Sequence, residues 1–301
     1  FFAHFLSHSF TIILIMLNVF LCWATYSKTY NIAVIPKGTS HDFWNEIKMG
    51  ALKAQKEFGV KIEYRGPNND GDTDSQIKIV ETFIQKKVDA IVLAPNHKTA
   101  LIPVVKKAIK SGIKVIIIDS SLDGDYYESF IATDNFAAGK LAGEKLAKLV
   151  GSNGKVGLIR FKVGNASTEM REEGFIEVMK EKNIEVIVDE YGGVTIGSAY
   201  RKGLEILAKK PKLTGFFTTN ETATIGIEKA LIDNKLSGKI FLIGFDINKE
   251  IEKGIATGSI NGVIVQDPQL MGYLGVKAAF DALQGKKIEK KIIVKTSYKG
   301  K

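Results

Sequence analysis

The chain has 301 residues, more than one ordinary domain usually contains, so we expect two domains. Apolar residues make up 45% and charged residues 25%, a composition that excludes a disordered, collagen-like or disulfide-scaffold chain. The net charge is +9, and the lysines are scattered singly along the chain, which indicates a solvated basic surface and no nucleic-acid partner. The single cysteine, Cys22, excludes an intramolecular disulfide.

An apolar segment comes first. Residues 10–24 read FTIILIMLNVFLCWA, a run that with its flanks is just long enough to cross a bilayer. A cleaved signal peptide would need a small-x-small site after this run, and none is clear. A lipoprotein signal would need a small residue before Cys22, where Leu21 stands. We therefore predict that residues 1–28 are a membrane segment or signal-anchor that holds the rest on the extracytoplasmic face of the cell membrane.

After residue 28, short apolar runs alternate with amphipathic stretches, a pattern typical of βα units around a parallel sheet. The runs rich in β-branched residues predict strands at 32–35, 61–64, 90–93, 115–118, 130–132, 156–159, 186–188, 215–217, 241–243 and 262–265. The amphipathic stretches predict helices at 43–58, 73–86, 99–110, 135–150, 168–182, 198–209, 221–234 and 269–283. The two series of units predict two similarly built α/β domains, changing near Asp134.

In an open parallel sheet, ligands bind outside the carboxyl ends of the strands. The residues there include carboxylates, amides, a cation and aromatic rings, the groups that bind sugar hydroxyls and cover the apolar face of a sugar. The predicted ligand-binding residues are His41, Phe43, Trp44, Asp119, Thr133, Glu169, Arg171, Asn220, Asp246 and Gln266.

Several of these side chains have a purely structural alternative. Asp119 and Asp246 could cap the helices that follow them, and Asn220 could cap the helix beginning at residue 221. Phe43 could belong to the core. Gln266 lies where an apolar strand ends, so a hinge role competes with a ligand role.

Catalytic motifs are missing from the sequence. It has no Gly-x-Ser-x-Gly elbow and no phosphate loop ending in Gly-Lys-Ser/Thr, and the only cysteine lies in the apolar segment. His41 and His97 have no neighbouring His or Cys at metal-ligand spacing. A pair of carboxylates could in principle cleave a glycoside, but we expect a binding protein with no enzymatic activity, no cofactor and no metal.

The chain resembles a known family over essentially all of residues 30–298. The resemblance is carried by IAVIPKGTSHDFWNEIKMGALKAQKEFGV, VDAIVLAP, GIKVIIIDSS, IATDNFAAGKLAGEKLA, REEGF, FFTTNETATIGIEKAL, IFLIGFD and NGVIVQDPQLMGYLGVKAA. These segments are similar to those of the type I periplasmic sugar-binding proteins of the ribose- and xylose-binding kind. The resemblance implies two Rossmann-like lobes joined by three crossings that close on a monosaccharide. We predict a first lobe of residues 30–133 and 267–295 and a second lobe of 134–266 and 296–301.

The resemblance also implies roles for individual residues. Stacking aromatics would be Phe43 and Trp44. Hydroxyl-binding groups would be Asp119, Asn220, Asp246 and Gln266, and His41 stands where ribose binders carry an amide.

Two positions depart from the family pattern. Ser120 and Glu169 replace arginines of ribose binders, and Arg171 follows two residues after the second of these positions. The loss of two guanidinium groups disfavours ribose, and we expect a pentose such as D-xylose.

Two membrane partners remain open. The protein could feed an ATP-driven (ABC) sugar importer by docking on its permease, or signal to the ectodomain of a membrane histidine kinase. Only residues 26–30 separate the apolar segment from the first strand, and this short tether favours a fixed complex with the kinase. A DNA-binding regulator is disfavoured because the chain has an apolar segment where a helix-turn-helix would stand.

Overall fold

The computed structural model of the protein describes residues 28–209 and 211–300. The predicted membrane segment lies outside these residues, apart from Lys28. Within the described ranges, no helix combines the length and the apolar character needed to cross a membrane. From Asn31 onward the chain forms one compact unit.

The first lobe is built on a six-stranded sheet in which all neighbours are parallel, in the order β11-β5-β4-β3-β1-β2. Its strands are β1 (Asn31–Ile35), β2 (Lys61–Tyr64), β3 (Ala90–Leu93), β4 (Lys114–Ile118), β5 (Ser129–Thr133) and β11 (Lys291–Val294). Its helices are α1 (Asp42–Phe58), α2 (Thr73–Gln85), α3 (Ile102–Lys110) and α9 (Pro268–Leu283). The central strands β1, β3 and β4 are apolar and buried on both faces because helices cover both sides.

The second lobe repeats this plan with the sheet order β12-β10-β9-β8-β6-β7. Its strands are β6 (Lys155–Arg160), β7 (Glu185–Tyr191), β8 (Gly215–Thr218), β9 (Phe241–Phe245), β10 (Gly262–Val265) and β12 (Ser297–Gly300), of which β12 is antiparallel to β10. Its helices are α4 (Asn135–Val150), α5 (Ala166–Glu181), α6 (Ile196–Ala208), α7 (Glu221–Asp233) and α8 (Lys249–Thr257). One hydrophobic core lies on each side of this sheet.

The chain passes between the two sheets three times: after β5, after β10 and after β11. A two-lobed α/β fold is thereby confirmed. The residue boundaries given above for the lobes stay a prediction.

Most helices begin at an Asp or Asn whose side chain accepts a hydrogen bond from a backbone N–H three residues on. This cap satisfies one of the unpaired donors of the first helical turn. The residues that cap in this way are Asp72, Asp134, Asn165, Asn220, Asn248 and Asp267. Neither Asp119 nor Asp246 caps a helix that follows it, so that alternative is wrong for both. Asp246 Oδ2 instead accepts from the backbone N–H of Glu221, the first residue of α7, at 3.2 Å.

Three elements were not predicted from the sequence. Helix α8 has nine residues and buries only Ile251, Gly254 and Ile255, so its amphipathic pattern is short. Strands β11 and β12 have four residues each and are mostly exposed, and they therefore lack the continuous apolar run of the central strands.

Candidate functional site

A cavity lies between the two lobes, at the carboxyl ends of the parallel strands. Eight of the ten residues predicted to bind a ligand line it: His41, Phe43, Trp44, Asp119, Arg171, Asn220, Asp246 and Gln266.

Aromatic side chains from both lobes form the apolar part of the wall. Phe43 and Trp44, in the first turn of α1, pack edge to face with their ring centroids 4.9 Å apart. The indole Nε1 of Trp44 donates to Asp70 Oδ1 at 2.9 Å, which fixes the ring. Phe161 lines the cavity from the second lobe. A flat ligand can therefore contact an aromatic side chain from each lobe.

Lys37 and Asp119 form a buried ion pair in the wall of the first lobe. Lys37 Nζ lies 2.6 Å from Asp119 Oδ2, and each side chain is only 4% exposed. Asp119 follows β4 with a φ of 63°, a left-handed conformation that Asp tolerates better than most residues. Lys37 also donates to Ser167 Oγ of the second lobe at 3.0 Å. The pair thus lies where the two lobes meet.

Arg171 and Asp246 are the corresponding charges of the second lobe. The Arg171 guanidinium donates to Asn135 Oδ1 at 2.8 Å and to the carbonyl of Thr219 at 2.9 Å, and its carbon lies 3.7 Å from the centre of the Phe245 ring. Burial lowers the pKa of Arg171 and raises that of Asp246, and the attraction between the two charges opposes both shifts. Phe245 is fully buried beneath the arginine and belongs to the core.

Gln266 connects this site to two crossings of the chain. Its Nε2 donates to Asp246 Oδ1 at 2.7 Å, and its Oε1 accepts from Thr133 Oγ1 at 2.8 Å. Thr133 ends β5 and Gln266 follows β10, so one side chain joins both crossings and the cavity. Thr133 itself does not line the cavity.

Glu169 lies at the rim. It accepts from Lys98 Nζ of the first lobe at 2.7 Å and from the backbone N–H of Gly164 at 2.7 Å. Lys98 N–H also donates to the Gly164 carbonyl at 2.8 Å. Glu169 is not among the cavity residues, so its contacts join the lobes instead of facing a ligand.

Six cavity residues were not singled out from the sequence: Lys37, Asp70, Phe161, Asn165, Ser167 and Thr168. Lys37 lies two residues after the end of β1 and Phe161 directly follows β6, so the rule that located Asp119 could have found them. Asn165 caps α5 and its side chain resembles an ordinary cap in sequence. Asp70 lies in the β2–α2 connection, and its pairing with Trp44 has no signal in the sequence.

The charges of the cavity wall balance when His41 is protonated, as the raised pKa of this residue favours. Lys37 pairs with Asp119, His41 Nε2 lies 3.4 Å from Asp70 Oδ2, and Arg171 is attracted to Asp246. Among the described residues, no group of three or more His, Cys, Asp or Glu is arranged to hold a metal ion. The wall therefore carries no net charge and offers both hydrogen-bond donors and acceptors, which suits an uncharged ligand rich in hydroxyl groups.

Comparisons with known proteins agree with this chemistry. A family model described as a periplasmic binding protein domain matches residues 32–287. The chain is 29% identical over 265 residues to the D-allose-binding periplasmic protein of Escherichia coli (strain K12), a match that covers 85% of each chain.

Two solved structures are also similar. The periplasmic component of an ABC-type sugar transport system from Hahella chejuensis has a TM-score of 0.87 at 35% identity, over 90% of this chain and 100% of that one. A carbohydrate transporter solute binding protein from Agrobacterium radiobacter, in complex with D-arabinose, has a TM-score of 0.88 at 32% identity, over 91% of this chain and 95% of that one.

Proposed function

Because the chain belongs to the type I periplasmic sugar-binding proteins, we propose that it binds one monosaccharide between its lobes and delivers it to an ATP-driven importer. Family membership implies an extracytoplasmic location. Anchoring by residues 1–28 stays a prediction, because the apolar run of residues 10–24 lies outside the described chain.

The observation that carries the sugar proposal is the charge-balanced cavity with aromatic side chains from both lobes. An anionic or cationic ligand would leave one of the buried ion pairs with an excess charge, whereas a neutral polyol can hydrogen-bond to both partners of each pair. Ring C–H groups can pack on Phe43, Trp44 and Phe161. The same groups offer no activated nucleophile, and we propose no catalytic step.

The importer alternative is favoured over the histidine-kinase partner that the short tether suggested. The two similar structures are named as transport components, one of an ABC-type system. The relatives bind D-allose in one case and D-arabinose in the other, a hexose and a pentose, so the preference for D-xylose has no support from them.

The lobes are in direct contact around the cavity, as Lys37 with Ser167 and Ser120 with Ser167 show. A sugar that bonds to both lobes stabilises this closed arrangement over an open one. The permease would then recognise the closed form, in which the rims of both lobes make one surface.

Thermal unfolding of the full chain with D-allose, D-ribose, D-arabinose and D-xylose tests the proposal. A sugar that binds only the folded state raises the midpoint as its concentration increases, by about 2.7 kcal/mol of stabilisation at a hundred times Kd. We expect at least one of the four to do so, and sugar phosphates to give no shift. If no neutral sugar moves the midpoint, the chain is not a monosaccharide receptor.

A further inference from the structure

A carboxylate of the second lobe caps a helix of the first lobe. Helix α1 begins after His41, whose side chain makes no capping hydrogen bond. The carboxylate of Glu221, the first residue of α7, accepts from the backbone N–H groups of Asp42 at 3.4 Å and Phe43 at 3.3 Å. Glu221 is 2% exposed and does not line the sugar cavity. Its side chain is therefore used for contact between the lobes.

Glu221 also faces His41. The imidazole Nε2 lies 3.4 Å from Asp70 Oδ2 in its own lobe, and Nδ1 lies 3.7 Å from Glu221 Oε2. Nδ1 is buried and makes no hydrogen bond within the described chain, so Glu221 is the acceptor nearest to it. The charged groups facing this ring come from three elements: Asp70 before α2, Glu221 on α7 and Asp246 after β9.

All three facing groups are acidic, which favours the imidazolium form. Burial opposes the charge on the ring, but hydrogen bonding to Asp70 and attraction to Asp70 and Glu221 outweigh it and raise the pKa of His41 to about 10. Asp70 belongs to the same lobe as His41, whereas Glu221 belongs to the other. Opening of the lobes removes Glu221, leaves Asp70 in place and lets water reach the ring, which relieves part of the burial penalty. Because the pKa of His41 is raised in the closed form despite that penalty, we take the loss of Glu221 to be the larger effect, so that His41 holds its proton less tightly in the open form.

We propose that Glu221 is a positioning residue that couples closure of the lobes to protonation of His41, so that sugar binding takes up a proton and weakens with rising pH. The inference rests on the proposed sugar-binding function. The direction of the pH dependence follows from linkage. A group whose pKa is higher in the closed form stabilises closure fully at pH values below its pKa in the open form, and this stabilisation is lost as the pH rises through its pKa in the closed form. With one titrating group, Kd can rise by at most about tenfold per pH unit in that interval.

The test is calorimetric titration of the full chain with D-allose and D-arabinose at about pH 8, in two buffers of different ionisation enthalpy, which counts protons taken up per sugar bound. We expect a net uptake of up to one proton for the wild type and a clearly smaller uptake for Glu221→Gln. The variant should also have a flatter dependence of Kd on pH between about pH 6 and about pH 9. Gln keeps an oxygen that can accept from the α1 backbone but removes the charge facing His41.

Lys98→Gln is the matched control. It breaks another contact between the lobes, the Lys98–Glu169 ion pair, which raises the pKa of Lys98 and lowers that of Glu169 and so keeps both outside the tested pH range. It should raise Kd by the same factor at every pH and leave proton uptake at the wild-type value. A wild type that binds sugar without proton uptake overturns the inference, and so does a Glu221→Gln variant with undiminished uptake.

Absence of binding by any sugar would contradict the proposed function instead, and the inference is then tested without ligand. The His41 imidazole is titrated by NMR of the full chain, with His41→Asn used to assign its signal. In the open, ligand-free protein the inference predicts the same His41 midpoint for the wild type and Glu221→Gln. A midpoint that Glu221→Gln lowers without ligand would mean that Glu221 acts on His41 whether or not the lobes close, which contradicts the coupling.

Discussion

At the residue scale, Lys37 and Asp119 form an ion pair that serves both stability and ligand binding. Both residues belong to the first lobe, so their 2.6 Å contact does not depend on closure. Each is almost completely buried, and removal of one partner of such a pair leaves the other charge unpaired in the protein interior. The stability of the pair can therefore be measured apart from its role toward a sugar.

The Asp119→Asn variant separates the two roles. We expect it to lower the free energy of unfolding without sugar by about 1–3 kcal/mol, because Lys37 loses its counter-charge in a cleft that water reaches when the lobes open, and to weaken sugar binding strongly. Asn is chosen because it tolerates the positive φ of this position. Denaturant unfolding and calorimetry measure the two effects.

The double variant Lys37→Met/Asp119→Asn provides the control. Removal of the unpaired charge should recover most of the lost stability while sugar affinity stays low. If the double variant regains wild-type affinity, the pair does not contact the ligand.

The sequence located most of the cavity but could not give the direction of each side chain. Strand ends of a parallel sheet converge, so Asp246 and Gln266 could be placed together from the chain order, and the resemblance to two-lobed sugar-binding proteins placed Asp119 opposite them. Thr133 and Glu169 lie at equally suitable positions, yet one bonds to Gln266 and the other to Lys98. Nothing in the residue types distinguishes these outcomes, because the difference depends on packing between the two lobes.

At the scale of elements, the ten strands and eight helices predicted from hydrophobic periodicity are all present. Buried central strands such as β3, with AIVL, have a strong pattern because both faces pack against helices. Strand β12, with SYKG, is held by antiparallel pairing with β10 and not by burial of its own side chains. Such edge elements depend on partners distant in sequence, which local periodicity cannot reveal.

The first turn of α7 connects element structure to the site. Asn220 Oδ1 accepts from the N–H of Ala223 and so caps the helix, and the same residue lines the cavity. Both interpretations offered by the sequence, a cap and a ligand, therefore remain compatible with its position.

Asn220→Ser distinguishes these roles. Ser caps helices about as well as Asn and adds no charge beside the buried Glu221 and Asp246, so we expect stability without sugar to change by less than about 1 kcal/mol. Sugar affinity should fall at least about tenfold, because the shorter side chain removes the amide group that faces the cavity. Wild-type affinity in calorimetry, with unchanged unfolding, would leave Asn220 as a cap alone.

At the scale of the whole molecule, closure is held by contacts of two physical kinds. The Glu221 contact is buried, so salt screens it little, whereas the Lys98–Glu169 pair at the rim has side-chain exposures of 39% and 22%. An exposed pair of this kind contributes roughly 0–1 kcal/mol and is weakened by salt. The rim pair should accordingly adjust the strength of closure without deciding it.

Sugar affinity at varied ionic strength tests this division. We expect Lys98→Gln to raise Kd by no more than about fivefold at low salt. The Kd of the variant should approach that of the wild type as salt increases, because salt screens the Lys98–Glu169 attraction, which only the wild type has. Thermal unfolding without sugar should be the same for both proteins if the pair forms only on closure. A difference in Kd that persists at high salt would mean that Lys98 acts through its packing or through a contact with the sugar. A lower thermal unfolding midpoint of Lys98→Gln without sugar would mean that the lobes of the empty protein are already closed.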